Sequence, residues 1–439
     1  MNIKKISKKK LEIIFIIFRE ESFGHKDIDH LLPFLYFLNS SSNYNYSANL
    51  LILENQSNYK KNLDPRVQFL FKLKNIQIKY LFNNIFLSKI KNTLETFNNN
   101  FLIKFFNRVF NRFYLTYLKT KFRQIKLKEK VGKNFIKSKN PLVVTLHSNT
   151  KVQKLVGKIK EINKKTKWMV LPHGTELAEN DMLIDTDLRK KKENKINKNY
   201  CNFDFYLFNN KFDILKKKIK SSEQKKYYLL GSLRFCKEWL KTKSKLNLDG
   251  NDVAVNRKFK VKILFVLPKK NINIFWDEVI RTIEFISSYS EIEIIVLNYD
   301  SFFPIFPNQL KERNNIRFYL ISKPHSTSKL IEWSDIILHA GSIVVFEFFI
   351  KKKITVLPRY LTCNTFFSEK YDAGLVLKNR DELRDLCNEA ISSLKNLKYK
   401  YEKNYNYKNK KFIDDFVNAN TKSVPSNLMK IISKIYDKF

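Results

Sequence analysis

The sequence predicts an α/β protein made of two doubly wound, parallel-sheet domains. Three observations carry this. Short, wholly apolar strand-like runs alternate with helix-like segments along most of the 439 residues. That rhythm is the signature of βαβ units. It stops at a polar, lysine-rich stretch, residues 237–260, and then restarts. The length is also ample for two domains at roughly 100–200 residues each.

In the first half, residues 13–18 form a continuous apolar run, as a strand covered on both faces requires. The lysines before it suggest a signal peptide, but the apolar run is short, Arg19, Glu20 and Glu21 follow, and no small-residue cleavage site is present. Residues 31–38 read as a helix with Pro33 in its first turn, and residues 50–53 as a second strand. Residues 68–130 differ. Phe101, Phe105, Phe106, Val109, Phe110, Phe113 and Tyr117 recur at helical spacing with Lys104, Arg108, Arg112 and Lys119 between them. This predicts an insertion of basic amphipathic helices that either docks on an anionic membrane surface or packs on the first sheet with a solvated basic face. Strands follow at 141–147, 167–172 and 206–208, with a helix at 152–162.

The second half predicts strands at 261–267, 292–297, 316–321, 336–338 and 354–358. Helices are expected at 276–289, 328–333 and 381–397. The organisation expected is a first domain over 1–236, a linker over 237–260, a second domain over 261–400 and a basic helical tail over 401–439.

Lys and Arg number 83 against 42 Asp and Glu, a formal charge of +41. Such a balance raises nucleic acid or an anionic membrane as partner. The excess is spread along the chain and accompanies abundant Asn, Ile, Phe and Tyr, a set sharing AT-rich codons, and no nucleic-acid motif occurs. Nucleic acid is therefore disfavoured. The four cysteines are scattered, with no C-x-x-C pair, which argues against a zinc or redox site and fits a reducing cytoplasm. No run reaches the ~18 apolar residues of a membrane span.

Ligands of parallel sheets bind beyond the carboxyl ends of the strands. Polar clusters fall there at residues 21–25, 147–150, 173–176, 232–234, 269–270, 325–327 and 339–342, and they hold or adjoin five of the six histidines. The sharpest is S-D-I-I-L-H-A-G-S-I-V-V-F-E-F, residues 334–348. A strand runs into the turn Ala340-Gly341-Ser342, and a helix follows with Glu347 inside it. A small-residue turn before a helix suits a phosphate, and Glu347 suits sugar or ribose hydroxyls. A plain strand-to-helix connection explains the same residues. In the first half, His173 is a candidate base beside Gly174 and Thr175, with Glu21 and His25 as rivals. Ser232 and Arg234 suit a diphosphate, and His325, Ser326, Thr327 and Lys269 complete the candidate donor contacts. Carboxylates are scarce in these loops and no D-x-D motif occurs, so no metal is expected. G-x-G-x-x-G, G-x-x-x-x-G-K-[ST] and G-x-S-x-G are absent, which disfavours dinucleotide enzymes, P-loop NTPases and elbow hydrolases.

With these residues in view, the chain resembles GT-B glycosyltransferases, and within them bacterial surface-carbohydrate biosynthesis proteins. The matching pieces are S-F-G-H at 22–25, L-P-H-G-T at 171–175, G-S-L-R-F at 231–235, H-A-G-S-I-V-V-F-E at 339–347 and I-T-V-L-P-R-Y-L-T-C-N-T at 354–365. The resemblance covers most of the chain outside 68–130 and the tail. It departs at Lys351-Lys352-Lys353, where many relatives have a glycine, and in having only 8 glycines. It implies two Rossmann-like domains facing a central cleft, with the acceptor on the first and a nucleotide sugar on the second. It implies no cofactor beyond that substrate. Gly341 and Ser342 would contact the donor phosphates and Glu347 its hydroxyls. The activity implied is sugar transfer to a surface-polysaccharide or lipid-linked acceptor at the cytoplasmic membrane face. A nucleotide-sugar epimerase, a polyol-phosphate transferase and a non-enzymatic basic membrane- or nucleic-acid-binding protein remain as alternatives.

Overall fold

The computed structural model describes residues 9–19, 27–41, 44–54, 65–73, 75–82, 127, 129, 131–146, 150–172, 174–175, 177–178, 203–216, 221–250, 252–256, 258–268, 274–298, 306–320 and 326–437. Two parallel sheets organise them. The first has seven strands in the order β3-β2-β1-β4-β5-β6-β7. These are β1 (Lys9–Arg19), β2 (Tyr44–Glu54), β3 (Ile76–Phe82), β4 (Pro141–Thr145), β5 (Lys167–Val170), β6 (Phe205–Phe208) and β7 (Tyr227–Leu229). The second has six strands in the order β10-β9-β8-β11-β12-β13. Its members are β8 (Val261–Val266), β9 (Ile292–Asn298), β10 (Ile316–Leu320), β11 (Ile336–His339), β12 (Ile354–Pro358) and β13 (Leu375–Leu377).

Burial on both faces explains the apolar runs. In β1, Ile13, Phe15 and Ile17 enter one core with helix α1 (Ile28–Ser40). Ile14 and Ile16 enter the opposite core with Trp168, Phe203 and helix α4 (Thr150–Ile162). Short helices α2 (Pro65–Lys72) and α3 (Lys133–Lys137) lie between them in the chain. In the second sheet, Ile263, Phe265, Ile336 and Leu338 face helix α7 (Trp276–Ser287). Leu264, Val266 and Ile337 face α9 (Thr327–Trp333) and α10 (Val345–Ile350). Minor helices α5 (Lys211–Lys216), α8 (Asn308–Lys311) and α11 (Phe367–Lys370) complete the connections.

The structure departs from the sequence reading in several places. Residues 76–82, expected to be helical, are the edge strand β3, and β7 is a second unforeseen edge strand. An edge strand lacks the continuous apolar run by which the central strands were recognised. The rest of the expected insertion, 83–126, lies outside the described residues. Pro33 sits in the second turn of α1, not the first, because the helix already begins at Ile28. Residues 237–245, read as linker, form α6 (Lys237–Lys245). Its Trp239 is buried against Tyr36 and Phe37, an anchor that the surrounding lysines conceal.

The helix expected at 381–397 runs on as α12 (Arg380–Phe416), broken once at Ser393. Leu397, Tyr401, Asn409, Phe412 and Phe416 keep one face buried through this polar sequence. The chain then crosses back, and α13 (Val424–Tyr436) packs Val424, Leu428, Ile431, Ile432 and Ile435 into the first domain's core. The residues read as a tail thus tie the domains together. A further shared core joins them, with Leu177, Ala178 and Phe235 of the first domain packed among Phe346, Phe366, Phe412 and Phe416 of the second.

Candidate active site

The order of the second sheet gives the first clue to a site. β8 and β11 are neighbours, yet β9 and β10 lie between them in sequence and on the other side of β8 in space. Connections therefore leave the carboxyl ends of β8 and β11 in opposite directions. Such a switch point opens the crevice where parallel sheets bind ligands. Ala340, Gly341 and Ser342 leave β11 at this point.

Gly341 has φ +85°, and a Cβ there would lie 2.5 Å from Cε1 of Phe366. Both the backbone and the space demand glycine. Ser342 closes the turn on itself: Val344 N–H donates to its Oγ at 3.4 Å and Val345 N–H to its carbonyl at 3.0 Å. The turn that the sequence left open is thus partly capped from within.

Phe366 also reaches the other domain. Ala178 and Phe366 form an antiparallel bridge, and Phe367 N–H donates to Leu177 O at 2.9 Å. The loop leading to Ala178 contains Gly174, exposed with open space at its Cα, and Thr175, buried and accepting from Asn209 at 3.0 Å and Asn210 at 3.4 Å. The loop that carries Gly174 and Thr175 is therefore tied, through Ala178, to the same Phe366 on which Gly341 packs. Glu369 holds Phe366 in place, accepting from its N–H at 2.8 Å and pairing with Arg359 at 3.1 Å.

Ser326, Thr327 and Glu347 gather elsewhere, around α6. Ser326 caps α9 and its hydroxyl lies 3.4 Å from Asp249. Thr327 is the first residue of that helix. Lys243 reaches Asp249 and Ser328, both at 2.6 Å. Lys351 reaches Glu332 at 2.9 Å and Glu347 at 3.2 Å. Glu347 is only 4% exposed, so its carboxylate is engaged inside the protein rather than presented to the cleft. Burial is the largest single influence and opposes its ionisation, but the Lys243 and Lys351 charges together with hydrogen bonds from Ser328 and Lys351 hold its carboxyl below the usual range.

Ser232 and Arg234 are likewise engaged. Ser232 is buried and its N–H donates to Val417 O at 2.7 Å, where the chain crosses back. Arg234 pairs with Asp29 at 2.9 Å, and Arg66 takes the other oxygen. Burial disfavours a charged Asp29, yet Arg234, Arg66 and Lys243 together hold its carboxyl well below the ordinary range. A depressed carboxylate contributes stability that is full above its unfolded pKa, near 3.9, and is lost as pH falls toward the folded value. We expect Asp29→Asn to lower stability at pH 7 by about 2 kcal/mol, a charge-assisted pair being replaced by a neutral one. It should also flatten the fall in stability below about pH 4. Urea unfolding across pH checks both.

His339 ends β11 but is buried, edge-on to Phe348 at 5.8 Å. Burial pushes its pKa down to about 4, so it is neutral at pH 7. His173, His25, Glu21, His325 and Lys269 lie outside the described residues. Asp29, Phe366 and Glu369 escaped the sequence reading, and Arg359 was noted only as part of the motif at 354–365. The motif at 354–365 stops one residue short of Phe366, and the Arg359–Glu369 pairing has no helical or strand spacing to betray it.

No protein-family model matches the sequence, and no curated protein matches it. Solved structures do. The chain is similar to a putative UDP-N-acetylglucosamine 2-epimerase from Listeria monocytogenes, with TM-score 0.54, 11% identity, and 99% and 98% of the two chains covered. It is similar to a UDP-GlcNAc 2-epimerase from Methanocaldococcus jannaschii, with TM-score 0.52, 14% identity, and 97% and 99% covered. A glycosyltransferase from Rickettsia africae superposes with TM-score 0.47 at 13% identity, over 98% of each chain. The first two show the fold over nearly the whole length: two Rossmann-like domains about a cleft, the GT-B architecture. Among the described residues, no helix is long and apolar enough to cross a membrane, and no cluster of His, Cys, Asp and Glu could hold a metal.

Proposed function

We propose that this protein is a glycosyltransferase that moves a sugar from a nucleotide-sugar donor to a surface-polysaccharide or lipid-linked acceptor. The observation that carries the proposal is the place of Gly341–Ser342: at the switch point of the second sheet, beside the bridge to the Gly174–Thr175 loop. In this reading the turn receives the donor diphosphate. Gly174 and Thr175 border the acceptor, and a base from His173, His25 or Glu21 takes the acceptor hydroxyl proton as the glycosidic bond forms and the nucleotide diphosphate leaves. Ser326, Thr327 and Glu347 support the donor side through the Lys243–Lys351 network that fixes α9 and α10. Ser232 and Arg234 act at the crossing between domains, and His325 and Lys269 remain candidate donor contacts on the loops after β10 and β8.

The epimerase reading has its own support, since the solved structures from Listeria and Methanocaldococcus bear that name and share the fold. An epimerase converts the nucleotide sugar without an acceptor, whereas a transferase releases nucleotide only when an acceptor is present. The first test is thermal unfolding with a panel of nucleotides and nucleotide sugars. A ligand at 100-fold its Kd should add about 2.7 kcal/mol. Product analysis with the stabilising donor, with and without glycolipid extract, then separates the two. No stabilisation by any nucleotide overturns both readings.

A further inference from the structure

The long helix α12 carries a surface that the transferase reading does not use. Beyond the break at Ser393 it buries Leu397, Tyr401, Asn409 and Phe412 against the second domain. Its outward side repeats with a spacing of four: Lys395, Tyr399, Lys403, Tyr407, Lys411. Residues four apart are neighbours on a helix, and because each step turns the row by about 40°, Tyr399, Lys403 and Tyr407 face outward together while Lys395 and Lys411 lie on opposite flanks. Tyr399 is 68% and Tyr407 78% exposed, the two most exposed tyrosines among the described large apolar and aromatic side chains. Lys398, Lys400 and Lys410 flank the row. Between residues 395 and 411 there are seven lysines and one acid, Glu402. Lys400 is engaged by Glu389 and Lys408 by Asp372. Lys395, Lys403 and Lys410 pair with no acid among the described residues.

We propose that this ridge docks the protein on a bilayer rich in anionic lipid. The shape and charge select that partner. The row spans about 24 Å of helix at ~1.5 Å per residue, and the opposite face is packed, so Tyr399, Lys403, Tyr407 and Lys410 form a convex strip that a flat surface can meet, with Lys395 and Lys411 on its two flanks. It cannot enter a nucleic-acid groove as a free helix does, and it forms no channel in which bases could stack. Lysines laid along a surface meet phosphate headgroups, and tyrosines between them sit at the headgroup level with rings toward the acyl boundary. The inference is independent of the catalytic reading, because none of these residues belongs to the cleft.

The test is sedimentation of the full-length protein with vesicles of phosphatidylcholine alone or with phosphatidylglycerol. Each surface lysine contributes roughly fivefold to partition onto an anionic membrane. The variant carrying Lys395→Glu, Lys403→Glu, Lys410→Glu and Lys411→Glu should bind phosphatidylglycerol vesicles at least tenfold more weakly than the unmodified protein. A control of equal charge change, with Lys237→Glu, Lys241→Glu, Lys245→Glu and Lys258→Glu at exposed sites, should lose less than threefold. Tyr399→Ser with Tyr407→Ser should weaken binding severalfold without changing its salt dependence. Far-UV circular dichroism confirms that the helix persists in each variant. Equal losses in both charge variants, absence of binding to anionic vesicles, or tighter stripe-dependent binding to a polynucleotide than to vesicles would each overturn the proposal.

Discussion

Gly231→Ala should destabilise the protein by about 4 kcal/mol and loosen the domains from one another, an estimate built from left-handed strain and overpacking at a rigid site. Gly231 has φ +94°, and a Cβ there would lie 2.8 Å from Val417 O and 2.8 Å from Cγ2 of Val424. Neither neighbour can yield cheaply. The carbonyl of Val417 is fixed by the Ser232 N–H bond at 2.7 Å, and Val424 is buried in the first domain's core at the start of α13. An L side chain at this φ costs about 1–3 kcal/mol, and forcing a methyl into a packed site costs about 1–3 more. The contact lies where the chain returns from the second domain, so the damage should appear as separation of function between halves. Urea unfolding should shift to lower midpoint, and limited proteolysis should cut earlier between α12 and α13. Gly157→Ala is the internal control. A Cβ at Gly157 meets nothing within 4 Å, and alanine favours a helix interior such as that of α4 by up to about 1 kcal/mol.

The same glycine shows how unevenly the sequence could be read. The G-S-L-R-F motif was visible at 231–235, but as a candidate anion site. Its actual partners, Val417 and Asp29, lie about two hundred residues away in opposite directions, and no local spacing announces them. Continuous apolar runs such as 13–18 and 263–267 were legible because a central parallel strand is buried on both faces, a property written in each residue. Edge strands 76–82 and 227–229 were not, since Gln77 and Lys79 interrupt the first and the second is only three residues long. Strand order was equally silent, and it is strand order that turns Gly341 from a connector into a residue at a switch point. Glu347 was found by its offset from Gly341, yet its ionised form inside the protein is favoured by Lys243, on a helix whose composition reads as linker. Residue type and local spacing were therefore enough to locate the ends of the strands. Which polar groups remain free there depends on long-range pairing that a single sequence does not display.

The Gly341–Phe366 contact offers the second large effect, and it bears directly on function. Gly341→Ala should abolish nucleotide-dependent stabilisation while lowering intrinsic stability by about 2–3 kcal/mol. Its Cβ would press on Cε1 of Phe366 at 2.5 Å and Cζ at 2.7 Å. Phe366 cannot retreat freely, because its backbone bridges to Ala178 and its N–H is held by Glu369. The strain must therefore move the turn, the bridge or both, and a displacement of about 1 Å at a binding loop is enough to lose a hundredfold. Phe366→Leu separates the two components of this effect. Alone, it should cost about 1–2 kcal/mol by thinning the shared core. Combined with Gly341→Ala, it removes the ring contact but leaves the left-handed backbone of residue 341. The double variant should therefore recover roughly 1 kcal/mol relative to the sum of the singles, a coupling expected of residues in contact. If nucleotide response returns with that recovery, the ring contact is what sets the turn's position. Recovery of stability without any nucleotide response would instead place the binding determinant in the backbone conformation of Gly341. A Gly341→Ala protein that still responds fully to nucleotide would remove this turn from the donor site and redirect the search to the loops after β8 and β10.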